Sequence, residues 1–225
     1  MSRIPIRSIR YRRPKIVTWD VELERRIHLD TDEYPDTWDF AAIFDRIAPV
    51  EVEIGFGKGR FILAAAERMP DRNWLGIEYM LSCTRLVAER AARAELANVR
   101  VVRSPAEVLL RDHIADESVD GFHVYFPDPW PKKRHHKRRI FKPAFVASLR
   151  QALKPGGTLR VATDFSEYFE EIVPMVRAGG FALEAFDDDP TRYVGDEEFR
   201  TNFEEKALEE GSTIHRAVFR KADCN

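Results

Sequence analysis

Residues 124–141 read VYFPDPWPKKRHHKRRIF. An apolar run stops at one carboxylate, Asp128, set between Pro127 and Pro129. Each proline fixes φ and removes a backbone donor, so the acid sits in a stiff turn. Behind it, positions 132–139 hold six Lys or Arg and two His. The two parts suit different chemistry. A fixed carboxylate stabilises positive charge that develops beside it. Clustered Lys and Arg bind phosphates, on which shape-driven RNA recognition relies. The bland alternatives are a solvated acid on a rigid turn and a charged surface loop. Trp130 can stack on a base or pack against a sheet edge. His135 and His136 have no third ligand at metal spacing, so the run predicts no metal site.

A second set of residues lies upstream. In VEIGFGKGRF, Gly55, Gly57 and Gly59 are spaced G-x-G-x-G between a predicted strand and a predicted helix. The dinucleotide fingerprint is G-x-G-x-x-G, with a pyrophosphate on the helix N-terminus. Here the third glycine comes one residue early, and Glu53 stands just before the loop. An acid there would repel a pyrophosphate but attract a cation, so a sulfonium nucleoside bearing an α-amino group fits better than NAD. Glu78 closes the next strand, about 20 residues beyond the loop, where a ribose-binding carboxylate belongs in βαβ nucleotide sites. The plain alternative is a ligand-free turn with Glu78 as an acid at a helix start. Two further acids carry double readings. Asp164 could cap the helix that begins near Ser166. TNFE, residues 201–204, fits a capping box with Thr201 as N-cap and Glu204 at the third helical position.

The elements that must position these residues alternate. Strands are predicted at 50–54, 73–78, 99–103, 119–126 and 158–164, and helices at 36–47, 59–69, 81–96, 106–113, 143–153 and 166–179. Short apolar strands alternating with helices predict a parallel, doubly wound α/β sheet. Segments 181–186 and 213–221 read as final strands with no helical pattern of comparable strength between them, which suits an antiparallel pair at one edge.

The 225 residues suit one large domain, or a domain plus an arm, and can bury a full core. Residues 1–35 are predicted to be a flexible arm, because positions 1–18 carry six Lys or Arg, no acid and no period. The domain is then 36–225. Net charge is only −2, so any polyanion signal is local. Cys83 and Cys224 stand far apart, implying neither a disulfide framework nor zinc. No apolar stretch suggests a signal peptide or a span of roughly 20 residues. A cytoplasmic protein is expected, with monomer and homodimer both open.

EIGFGKGRF, GIE, FPDPWPKKRHHKRRI, TDF and TNFEEKALEEGSTIHRAVF, in this order, together resemble the bacterial tRNA (guanine-N7-)-methyltransferase family over roughly residues 36–220. The Pro-Asp-Pro-Trp segment with its basic run is specific to that family, whereas the glycine loop marks only a broad class. The resemblance implies a Rossmann-like, seven-stranded methyltransferase sheet. It also implies S-adenosyl-L-methionine as donor, and methylation of guanosine N7 at position 46 in the tRNA variable loop. By the same resemblance Glu53, Gly55, Gly57, Gly59 and Glu78 serve the donor. Asp128 touches the donor and is catalytic, while Lys132, Asp164 and Thr201, Asn202, Phe203 and Glu204 serve the tRNA. Asp164 or Glu204 would then read the N1–H and N2–H donors of guanine. One departure stands out. Ser104 occupies the place near the end of the third strand where relatives carry an acid toward the donor's adenine. Two other classes compete: a small-molecule methyltransferase, disfavoured by the cationic run, and a non-catalytic RNA-binding module, disfavoured by the intact loop and Asp128.

Overall fold

The computed structural model describes residues 20–34, 36–186 and 201–222. Its first helix, α1 (Val21–Ile27), is capped by Asp20, whose carboxylate accepts from the amides of Glu22 and Leu23. The two-residue strand β1 (His28–Leu29) follows, then α2 (Phe40–Phe44). Asp39 caps α2, and Asp45 ends it in the left-handed region at φ 54°, so α2 is shorter than the predicted 36–47.

Strands and helices then alternate: β2 (Val50–Ile54), α3 (Arg60–Arg68), β3 (Asn73–Glu78), α4 (Leu81–Arg93), β4 (Val99–Arg103), α5 (Ala106–Asp112) and β5 (Val119–Tyr125). A 3₁₀ helix, Lys133–Arg138, carries most of the basic run. The chain ends with α6 (Pro143–Ala152), β6 (Leu153–Thr163), α7 (Ser166–Ala178), β7 (Phe181–Phe186), α8 (Asn202–Glu209) and β8 (His215–Lys221).

The sheet order is β1-β4-β3-β2-β5-β6-β8-β7. All neighbours are parallel except β6–β8 and β8–β7, so the predicted antiparallel edge is present. Among the described residues the sheet has eight strands rather than seven. The extra one, β1, pairs through His28↔Val101 and Leu29↔Val102, and it comes from the segment assigned above to a flexible arm. Two residues are too few to show a period, so only the pairing with β4 reveals this strand. The described part of that arm, 20–34, therefore adds a capped helix and an edge strand to the sheet. Positions 1–19 lie outside the described residues. Between β7 and β8 the short helix α8 also appears, started by Thr201.

Two apolar layers sandwich the sheet. On one side α2, α5, α6 and α7 press residues such as Phe145, Leu149 and Ile172 onto Val52, Phe122 and Leu159. On the other, α3 and α4 bury Phe61, Ile62, Val87 and Ala91 against Trp74, Val99 and Val101. Each large apolar side chain so buried contributes about 1.5–3 kcal/mol. No helix of the described residues is long and apolar enough to cross a membrane.

Candidate active site

β2 pairs β3 on one side and β5 on the other, so the chain reverses its strand order there. In open α/β sheets ligands bind beyond the carboxyl ends of the strands at that reversal. The loops leaving β2 and β5 are the two stretches singled out by their residues: the glycine loop 55–59 and the Asp128 turn.

β2 reads VEVEI, and all five residues are buried. Val50, Val52 and Ile54 join one apolar layer, so Glu51 and Glu53 point to the opposite face. Glu51 is paired there. Its carboxylate meets His123 Nε2 at 3.0 Å and the Arg72 guanidinium, and His123 Nδ1 lies 2.8 Å from the Tyr125 hydroxyl. Burial pushes Glu51 up, but the hydrogen bond and charge of His123 and the charges of Arg160 and Arg72 outweigh it, so it stays ionised. Burial also pushes His123 below its ordinary value, against the hydrogen bond and charge of Glu51.

Glu53 is the contrast. It is 3% exposed, and its Oε2 is buried without a hydrogen-bond partner. Burial pushes its carboxyl up to about 8; a bond from the Ile62 amide opposes the shift and the charge of Glu78 adds to it. A buried acid with an open oxygen at a strand end has the features of a seat for a cation.

The loop above it turns on glycines. Gly57 has φ 52° and Gly59 φ 74°. A Cβ on Gly59 would lie 2.3 Å from Val87 Cγ2, so only glycine lets α3 approach α4 this closely. The Gly57 amide donates to Glu78 Oε2 at 3.0 Å. Glu78 Oε1 accepts from the amides of Tyr79 (2.8 Å) and Met80 (3.0 Å). Glu78 is therefore both an acid at a helix start and a brace for the glycine loop. Ser104 sits beside it: its amide donates to the Glu78 carbonyl at 3.1 Å, and its hydroxyl donates to the Pro105 carbonyl at 3.1 Å. Tyr79 and Met80 are 65% and 59% exposed at the same rim. No period in the sequence marks two exposed residues at a strand end.

Across the reversal point, the Phe126 amide donates to the Ala162 carbonyl at 2.7 Å, holding the start of the second loop to β6. Phe126 (φ 49°) and Trp130 (φ 43°) both adopt the left-handed region, bracketing Pro127-Asp128-Pro129. Non-glycine residues there cost about 1 kcal/mol or more each, so outside contacts must hold the turn. Asp128 is exposed. Trp130 packs against the basic run: Arg138 lies over its ring at 4.8 Å and His135 meets it edge-on at 5.9 Å.

The run itself divides. Lys132, Lys133, Arg134, Lys137 and Arg138 are exposed, His135 and His136 half-buried, and Arg139 buried. Arg139 donates through Nε to the Pro129 carbonyl at 2.8 Å and through Nη1 to Glu171 at 2.6 Å. Among the described residues, one group of three, His136, Glu167 and Glu171, lies close enough to share a metal. Its two acids already pair with Arg139.

α8 closes the site over the glycine loop. Thr201 accepts from the Glu204 amide at 3.0 Å, so the capping reading holds in one direction. Glu204 does not cap in return; its buried carboxylate pairs with Arg216 of β8. Phe203 is 60% exposed. Its ring stacks on Phe126 at 6.5 Å and 22°, and its Cε2 would be 3.8 Å from a Cβ on Gly57. The ion pair Arg60–Glu205 ties α3 to α8 nearby. Asn202 falls in this helix, but its side chain is outside the described set. Asp164, by contrast, is exposed at the end of β6, and Phe165 is the N-cap of α7 with no side-chain cap bond, so the capping reading of Asp164 does not hold. Glu53, Gly57, Glu78, Ser104, Phe126 and Phe203 thus form one connected rim beside Asp128. Lys132 belongs to the cationic flank.

A methyltransferase family, Methyltransf_4, matches residues 47–217. The tRNA (guanine-N(7)-)-methyltransferase of Bordetella parapertussis is 40% identical over 190 residues, covering 84% of this chain and 73% of its own. That of Nitrosomonas europaea is 36% identical, covering 80% of each. The chain belongs to the tRNA (guanine-N(7)-)-methyltransferase family. The 16S rRNA methyltransferase KamB shares the fold at a TM-score of 0.65 and 15% identity, over 84% of this chain and 95% of that one.

Proposed function

We propose that the protein transfers a methyl group from S-adenosyl-L-methionine to N7 of guanosine in tRNA, at position 46 of the variable loop. The observation that carries this reading is the meeting, at one strand-order reversal, of a buried acid open to a cation and a carboxylate turn flanked by exposed Lys and Arg. The residues fit the donor. Glu53 would take its α-amino group, the glycine loop its amino-acid end, Glu78 its ribose, and the Ser104 rim its adenine. Bound there, the donor supplies an electrophilic methyl on a sulfonium.

The chain's own work is then placement and electrostatics. Guanine N7 carries a free lone pair, so no general base is required. As the bond forms, positive charge moves onto the purine, and Asp128 stabilises it where it develops. Pro127 and Pro129 hold that carboxylate so that alignment is set before reaction. Phe203, exposed over Phe126, offers an apolar face to an unstacked base. Asp164 is open to accept from the guanine N1–H and N2–H groups. Glu204, committed to Arg216, is better suited to holding Thr201 and α8 in place. Lys132, Lys133, Arg134, Lys137 and Arg138 bind tRNA phosphates.

The test is incubation of the protein with labelled S-adenosyl-L-methionine and unmodified tRNA, followed by cleavage at 7-methylguanosine. Label at N7 of one variable-loop guanosine is expected. No label, or label on an exocyclic amine, overturns the reading.

A further inference from the structure

Arg139 is the one member of the basic run that phosphates cannot reach, since its side chain is 3% exposed. All the contacts of its guanidinium lead to the Asp128 turn or to α7. Nε binds the Pro129 carbonyl (2.8 Å), Nη1 binds Glu171 (2.6 Å), Nη2 binds Glu167 (3.3 Å), and Cζ lies 4.7 Å from the centre of the Tyr168 ring. The Tyr168 hydroxyl in turn accepts from the Phe141 amide at 3.1 Å, fixing the chain just past Arg139. The turn needs such a hold. Its two prolines donate nothing, and it is bracketed by Phe126 and Trp130 in the left-handed region. A planar guanidinium with a fixed fork can grip a carbonyl and two carboxylates at once, whereas an ammonium cannot copy that pattern. α7 starts two residues after Asp164, so the same clamp spans both loops of the candidate site.

We propose that Arg139 is a positioning residue. It locks the Asp128 turn onto α7, and so sets Asp128 relative to Asp164, rather than binding tRNA. The proposal rests on the reading of this turn as the reaction centre. It divides the basic run into five cations that face RNA and one that faces inward.

Two readouts on the full chain test it. The first is single-turnover methylation at saturating tRNA and donor, with tRNA affinity measured across a salt series. For Arg139→Lys and Arg139→Gln the rate constant is expected to fall at least tenfold, with tRNA affinity changed less than threefold and the salt slope unchanged. The second readout needs no activity: fluorine NMR of 5-fluorotryptophan protein, with the Trp130 line assigned by Trp130→Phe. Arg139→Gln is expected to shift or broaden that line. Should these variants fail to fold, the paired change Glu167→Gln and Glu171→Gln loosens the clamp from its exposed side, and the same two effects are expected in weaker form.

An unchanged rate with an unmoved Trp130 line overturns the proposal. So does a salt slope reduced by about one with a normal saturated rate, which marks a phosphate contact. If the wild-type protein places no label at guanine N7, the functional reading falls first. The Trp130 line alone then decides whether Arg139 holds the turn.

Discussion

Two acids on one strand face show how environment divides roles at the residue scale. Glu51 and Glu53 are both buried on β2, but only Glu51 meets His123 and Arg72. Burial, with one oxygen left open and the charge of Glu78 nearby, pushes the Glu53 carboxyl up to about 8. A donor ammonium seated there would favour the ionised form, so binding releases a proton. Donor affinity is therefore expected to rise up to tenfold per pH unit from pH 6 toward 8, where an α-amino group begins to lose its own proton. Calorimetry in buffers of different ionisation enthalpy would count the proton, and Glu53→Gln should lose both the release and the slope. The sign for stability is opposite. A folded pKa above the unfolded one stabilises the protein fully below the unfolded pKa, and that stability is lost as pH rises toward 8. Donor-free protein should lose roughly 1 kcal/mol per pH unit between pH 6.5 and 8 in urea unfolding, and Glu53→Gln should not. For Asp128→Ala, turnover is expected to drop about 100-fold or more, with donor and tRNA affinity reduced by less; near-normal turnover would remove its role.

At the scale of elements, the 3₁₀ helix and α8 carry the remaining predictions. If about four cations of the 3₁₀ segment touch phosphates, log affinity for tRNA falls with log salt at a slope of roughly −3 to −4. Replacing Lys133, Arg134, Lys137 and Arg138 by Ala should flatten that slope, whereas an unchanged slope returns the segment to a solvated loop. α8 depends on its first residue. Thr201→Ala removes the bond to the Glu204 amide and should cost about 1 kcal/mol of local stability, visible as faster amide exchange in 202–209. The elements themselves were unequally legible. β2 to β5, and the helices between them, follow from apolar period and flanking Gly and Pro. α2 came out shorter than its apolar period, because Asp39 and Asp45 set its ends. α8 announced itself only by TNFE, since eight residues give too little period to stand out.

The whole molecule binds the two halves of the proposed reaction at one reversal of strand order. We propose that the basic positions 1–18 contribute to tRNA binding. Removing them should weaken tRNA binding at low salt and leave donor affinity unchanged; equal tRNA binding by full-length and shortened protein would dismiss that role. The sequence by itself determined the fold class, the glycine loop, Glu78 at its strand end and the Asp128 turn. These depend on local chemistry: period, φ preference and the residue types a turn demands. Only the tertiary structure decided which charges are free. It left Glu53 open and gave Glu51 a partner 72 positions away. It committed Glu204 to Arg216, and it turned Arg139 inward while its neighbours faced water. It also drew residues 28–29 into the sheet. The physical reason is the same in each case. Burial and partnership are set by contacts between segments distant in the chain, and a side chain's local sequence carries no record of them.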